Sequence, residues 1–390
     1  MKNLKALCLV VMICFFCKAQ EQPIAIVPLL QQGVHTFIKV KINNSDKSYV
    51  FLFDTRAGSS VASLSLADET KLIKSSEEVV LETAGGVSTV PISHDNMLHL
   101  EGLDINNINF YIDDISHITF QGEKLDGVIG YELLKDYVTL LNYEKNQLEF
   151  YPSNTKAFDT YNSVPFTLVE DLPTVSLSFT TTSGKTFAGN FYFDSGAGFS
   201  LSVNSSFAEK HNLLNEFDKK TKIPVMDASM SNSFENYMAT LNQLTLLNYS
   251  FNDLPISVSM AKSGASSSEK IDGILGIDII KRFNVVLDYK KTSLILFPNS
   301  HYSNPFNFNL TGLSLKQNKN EITVNYVTEN SPASIAGFQK NDIIIGIDGM
   351  TCENTSDARK ILNDSNKTFT VEIKRRDKKE TLSLKPKRYY

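Results

Sequence analysis

Along most of this chain the hydrophobic positions fall in short runs rich in β-branched and aromatic residues, and Asn, Asp, Ser and Gly punctuate them. Phe37 to Ile42, Tyr49 to Phe53 and Val175 to Phe179 are such runs, and the pattern predicts strands joined by turns. Brief stretches of helical spacing interrupt it at Leu64 to Leu72, Tyr131 to Tyr137, Ser206 to Leu214 and Ile277 to Phe283. The expected fold is mainly β.

The pattern occurs twice. Phe51-Leu52-Phe53-Asp54-Thr55-Arg56-Ala57-Gly58 returns as Phe191-Tyr192-Phe193-Asp194-Ser195-Gly196-Ala197-Gly198, and Leu125-Asp126-Gly127-Val128-Ile129-Gly130 as Ile271-Asp272-Gly273-Ile274-Leu275-Gly276. Both copies continue to Leu141-Asn142-Tyr143 or Leu287-Asp288-Tyr289 and close on Tyr151-Pro152 or Phe297-Pro298. Marks in one order at similar spacing identify a duplication. Two pseudo-symmetric β lobes are therefore expected at 23–152 and 163–298, joined through the turn-prone Ser153 to Asn162.

From about Phe306 the repeat stops. A strand at Glu321 to Val327, Ser331-Pro332-Ala333, Ala336-Gly337-Phe338, the apolar run before Asp348 and a helix at Ser356 to Leu362 predict a small third α+β domain, 306–386, behind an Asn- and Ser-rich linker. The length of 390 residues accommodates three domains, and 42% hydrophobic with 21% charged residues is ordinary globular composition. Lys2 and Lys5, the apolar run Leu7 to Phe16 and Ala19 read as a signal peptide over 1–19, which predicts export to the periplasm or the extracellular space. The run is too short for a permanent membrane span, and bulky Phe15 and Phe16 argue against a lipid on Cys17. Removing that segment takes Cys8, Cys14 and Cys17 and leaves Cys352 alone, so no disulfide is expected. A net charge of −5 gives no reason to propose a nucleic-acid partner. The six histidines lack metal-ligand spacing and read as surface or satisfied core residues, so neither a metal nor a cofactor is expected.

A single Asp-Ser-Gly or Asp-Thr-X would be an ordinary turn. Two, each ending an apolar strand and each matched downstream by two apolar residues and a Gly, place two carboxyl groups where burial is costly unless they pair. Facing carboxyls at close range share one proton and act together as base and acid. The hydroxyls of Thr55 and Ser195 can fix their geometry, and Gly196 permits close approach.

These motifs resemble the aspartic peptidase superfamily of pepsin and the retroviral proteases, specifically bacterial aspartyl-protease-like proteins that carry a PDZ domain. The resemblance implies Asp54 and Asp194 as the catalytic pair with Thr55, Ser195 and Gly196 in support. It also implies strands Val128 to Gly130 and Ile274 to Gly276 behind them, and a hairpin flap, for which Glu82 to Ile92 with Gly85 and Gly86 at its tip is the candidate. Both lobes lie in one chain, so a dimer is not required. The C-terminal unit resembles a bacterial PDZ domain, which implies a peptide or protein partner laid beside Thr311, Gly312, Leu313, Ser314 and Leu315 against the 356–362 helix.

Lobe 1 departs from the family at Arg56, where the motif has Gly. A guanidinium turned toward the carboxyls would hold them ionised and oppose proton sharing. Turned outward, it would leave them alone and favour acidic substrate side chains. The expectation is an aspartic-type endopeptidase; the alternative is a catalytically inactive peptide-binding or scaffold protein.

Overall fold

A computed structural model of the chain describes residues 21–83, 86–116, 118–120, 123–226, 233–318 and 321–390. The expected signal segment with Cys17, and Gly85 of the expected flap tip together with Ala84 before it, lie outside the described residues.

The duplication is complete at the level of strand order. In lobe 1 an eight-stranded sheet runs Leu30–Gln32, His35–Ile42, Tyr49–Phe53, Gly127–Ile129, Ser60–Ser63, Leu103–Asp113, Gly86–Leu100, Glu78–Thr83. Lobe 2 repeats this with Thr167–Val169, Leu172–Thr181, Thr186–Phe193, Gly273–Leu275, Leu201–Val203, Tyr249–Ser259, Ser233–Leu246, Lys220–Met226. In each lobe the second strand also pairs with the seventh, so the sheet curls on itself. The Asp-bearing strand lies parallel to the Gly-rich one, Phe53 opposite Ile129 and Phe193 opposite Leu275. Gly130 and Gly276 leave no room for a Cβ, which would collide with the carbonyls of Asp54 and Phe199 respectively. That explains a Gly at this mark in both copies.

The expected helices are present but shorter, for example Leu64–Glu69, Tyr131–Leu134 and Ile277–Ile280. A six-stranded sheet ties the lobes together. Its central pair, Val138–Asn142 and Phe283–Asp288, is antiparallel with Val138 opposite Asp288, one strand from each copy. A continuous buried core runs through both lobes, from Phe51, Phe110 and Phe150 to Phe191, Leu254 and Phe283. No described helix is long and apolar enough to cross a membrane.

The C-terminal domain has its own core around Val324, Ile347, Val371 and Ile373. It is a five-stranded sheet with Leu313–Asn318 at one edge and helix Thr355–Ile361 beside that strand. Asn341 adopts a φ of +73°, the left-handed conformation that Asn tolerates. The stretch before this domain is more than a spacer. Buried Arg282 donates to the carbonyls of Tyr302 (2.9 Å) and Asn304 (2.6 Å) and lies over the Phe306 ring, so the segment is strapped to lobe 2. The far end returns as well: Arg388 pairs with Asp253, and the Tyr390 carbonyl accepts from Thr240.

Candidate active site

Strand alternation sends Phe51 and Phe53 into the common core, so Leu52 and Asp54 share the opposite face. Phe191, Tyr192, Phe193 and Asp194 repeat the arrangement. Each Asp is anchored from behind by its own amide, Asp54 N–H to the Ile129 carbonyl (2.9 Å) and Asp194 N–H to Leu275 (3.0 Å). Each carboxylate also accepts from the amide two residues on, Arg56 N–H to Asp54 Oδ1 (2.7 Å) and Gly196 N–H to Asp194 Oδ1 (2.9 Å).

The residue after each Asp locks the lobes together. Thr55 Oγ1 donates to the Phe193 carbonyl (2.6 Å) and accepts from Ser195 N–H (3.0 Å), and Thr55 N–H donates to Ser195 Oγ (3.0 Å). Thr55 and Ser195 are fully buried. This grip brings the carboxyls of Asp54 and Asp194 into hydrogen-bond contact with each other. Burial raises both carboxyls above the ordinary range; for Asp194 the negative charge of Asp54 adds to burial and pushes it up to about 8. The buried pair therefore shares one proton and one negative charge, and the charge of Asp54 favours the proton on the Asp194 side. Gly196 makes the approach possible, since a Cβ there would stand 2.6 Å from the Asp54 carboxyl.

Arg56 turns inward. Its Nη1 lies 3.7 Å from Asp194 Oδ2 and its guanidinium carbon 4.9 Å from the centre of the Tyr192 ring. The expected loss of the shared proton does not follow, because burial and the Asp54 charge outweigh the guanidinium at Asp194. A second basic residue reaches the site, one that the sequence did not place there: His35 hydrogen-bonds to the Gly196 backbone and feels Asp194, burial holding it below its usual range. Its Nδ1 is buried without a hydrogen-bond partner among the described residues, which overturns its reading as a surface or satisfied core residue. No local motif links His35 to a loop 160 positions away. Beneath the pair, Tyr143 and Tyr289 are duplicated too; each hydroxyl is buried without a partner among the described residues, and burial with the Asp54 charge raises both.

In lobe 1, strand Glu78–Thr83 pairs with Gly86–Leu100 as a hairpin that begins earlier than the expected flap. Leu81 and Val90 from it pack with Phe37, Leu52, Val61 and Phe120. Lobe 2 carries a matching hairpin, Lys220–Met226 with Ser233–Leu246, that sequence reading missed.

In the C-terminal domain, Thr311 to Leu315 form the loop and start of the edge strand beside helix Thr355–Ile361. Own-chain groups already engage it. Asn309 Oδ1 accepts from the amides of Thr311 (3.3 Å) and Gly312 (2.9 Å), and Arg359 Nη2 donates to the Leu315 carbonyl (2.9 Å) across the groove.

Comparison with known proteins agrees with this anatomy. Residues 38–133 match the family model described as aspartyl protease, and residues 310–385 match that of the PDZ domain. The chain is aspartyl-protease-like and carries a C-terminal PDZ domain. Among solved structures, the crystal structure of aspartic proteinase from Irpex lacteus aligns at 15% identity with a TM-score of 0.46, over 72% of this chain and 98% of that one. No curated protein matches the chain. The PDZ match gives the protease-like chain a peptide-binding type of module.

Proposed function

We propose that this protein is an exported aspartic-type endopeptidase that hydrolyses peptide bonds with Asp54 and Asp194, its PDZ domain holding peptide or substrate segments. The observation that carries the reading is the buried, hydrogen-bonded carboxyl pair inside a cross-lobe grip, both members raised so that one proton is shared. Asp54 takes a proton from water as that water attacks the peptide carbonyl, and Asp194 gives its proton to the carbonyl oxygen. Collapse of the resulting gem-diol breaks the C–N bond and returns protons to the amine and the dyad. A proton kept up to about pH 8 supports activity at neutral pH.

The second reading is a non-catalytic peptide-binding scaffold, and Arg56 beside Asp194 favours it. Peptide-library cleavage by wild type and Asp194→Asn, at acidic and neutral pH and with a pepstatin-type inhibitor, separates the two. Cleavage by wild type alone, blocked by inhibitor, is expected; equal cleavage by both proteins, or none by either, removes the peptidase reading.

A further inference from the structure

Arg56 is the one charged difference between the paired Asp motifs, and its surroundings are specific. The side chain is only 16% exposed, yet among the described residues its guanidinium makes no hydrogen bond: Asp194 Oδ2, at 3.7 Å, is beyond bonding reach, and Nε is buried without a partner. The group lies along the Tyr192 ring, on the Asp194 side of the dyad. Stacking of this kind orients a planar guanidinium while leaving its N–H edge free. A buried cation with unused donors is expensive to keep, and a carboxylate accepting two parallel N–H bonds satisfies it best.

A carboxylate entering this cleft unaided would meet the negative charge of Asp54. Arg56 offsets that repulsion at the place where it is strongest, and lobe 2 has no counterpart, since Gly196 occupies the matching position. His35, the other basic residue there, is held below its usual range by burial, which leaves Arg56 as the cation. In lobe 1, Phe37, Leu52, Leu81, Val90 and Phe120 instead pack together as a buried apolar cluster with no cation among them.

We infer that Arg56 is a specificity residue that binds a substrate carboxylate next to the scissile bond. The inference rests on the peptidase reading for its kinetic arm only. Two sources supply such a carboxylate, an Asp or Glu side chain or the free end of a peptide.

Matched quenched peptides with Glu or Gln on either side of the cleaved bond, each with a free or amidated C-terminus, are assayed with wild type, Arg56→Gln and Arg56→Lys. Wild type should prefer Glu over Gln by about tenfold or more in kcat/KM, the preference vanishing in Arg56→Gln and partly surviving in Arg56→Lys, which keeps charge without the fork. Preference that survives amidation assigns the side chain; preference that requires a free end assigns the terminus. Equal cleavage of Glu and Gln peptides with both kinds of end by wild type, or a preference unchanged in Arg56→Gln, overturns the inference. If wild type cleaves nothing, the peptidase reading falls separately. The same peptides with a reduced scissile bond are then titrated by calorimetry. Tighter binding of a carboxylate that Arg56→Gln loses supports the inference, and identical isotherms overturn it. Because the PDZ domain is unaltered in both proteins, its contribution cancels, and melting curves check that the variants fold.

Discussion

The two lobes share strand order, register and hydrogen bonds down to the amide that holds each carboxylate, and they differ where those features meet the cleft. Arg56 and Gly196 donate the same backbone bond, but one projects a cation over Tyr192 and the other projects nothing. Leu52 joins an apolar cluster under its hairpin, whereas Tyr192 at the matching position carries the guanidinium. Backbone donors are independent of side-chain identity, so a duplicated site can keep its charge-holding framework while one residue changes the chemistry beside it. The asymmetry also sorts the dyad, because two carboxyls that share one proton need environments that push them apart.

The comparison breaks most sharply at Gly196. A methyl group there would press on the Asp54 carboxyl, whereas lobe 1 already accommodates a whole side chain at the matched position. Gly196→Ala should therefore lower kcat/KM by about 10²-fold, the scale set by misplacing a reacting group by an ångström. Steady-state kinetics on a cleaved library peptide measures this, and unchanged kinetics would show that the close approach is dispensable.

A pH-dependent effect on stability sharpens the assignment of the proton. Asp194 is raised on folding to about 8, while the unfolded carboxyl releases its proton near 4, so folding takes up a proton between those values and the folded state loses stability as pH rises through that window. Asp194→Asn imitates the protonated form at every pH. It should be more stable than wild type by up to about 4 kcal/mol at pH 7, and the advantage should disappear below pH 4. Denaturant melts at both pH values test it; a variant less stable at pH 7 would place the proton on Asp54.

How much of this was legible in the sequence depended on whether a feature had a local signature. The paired Asp motifs, the Gly marks behind them and the strand at Tyr49–Phe53 could be read directly, because sterics impose a residue type at a fixed offset. Gly85 and Gly86 pointed to the first hairpin, although its extent was underestimated; the second, from Lys220, has no such pair of glycines and was missed. His35, Asn309 and Arg359 were missed for another reason. Each acts on a residue it meets only through the fold or by a turn-type bond with no distinctive spacing, and as types they are common surface residues. The direction of Arg56 was open because a side chain entering a cleft is steered by the lobe opposite. Its electrostatic consequence was open too, since burial and charge compete and only packing decides between them.

The smallest expected effect concerns the grip, where the lobes look alike but are unequal. Thr55 Oγ1 both donates to Phe193 and accepts from Ser195, while Ser195 Oγ accepts from Thr55 N–H. All the partners are buried, so losing a hydroxyl strands a backbone donor or acceptor at about 1 kcal/mol or more each. Thr55→Ala removes two such bonds and a buried methyl; Ser195→Ala removes one. The first should cost about 2–3 kcal/mol and the second about 1, as measured by chemical denaturation. Thr55→Ser keeps the hydroxyl and should recover most of the difference. Because the two hydroxyls occupy one interlocked set, the double variant should cost less than the sum of the single ones, and the coupling read from that cycle measures how far the lobes depend on each other at this point. Equal costs for Thr55→Ala and Ser195→Ala would mean that the grip is symmetrical in solution, and that the inequality of the lobes resides in Arg56 and Tyr192 alone.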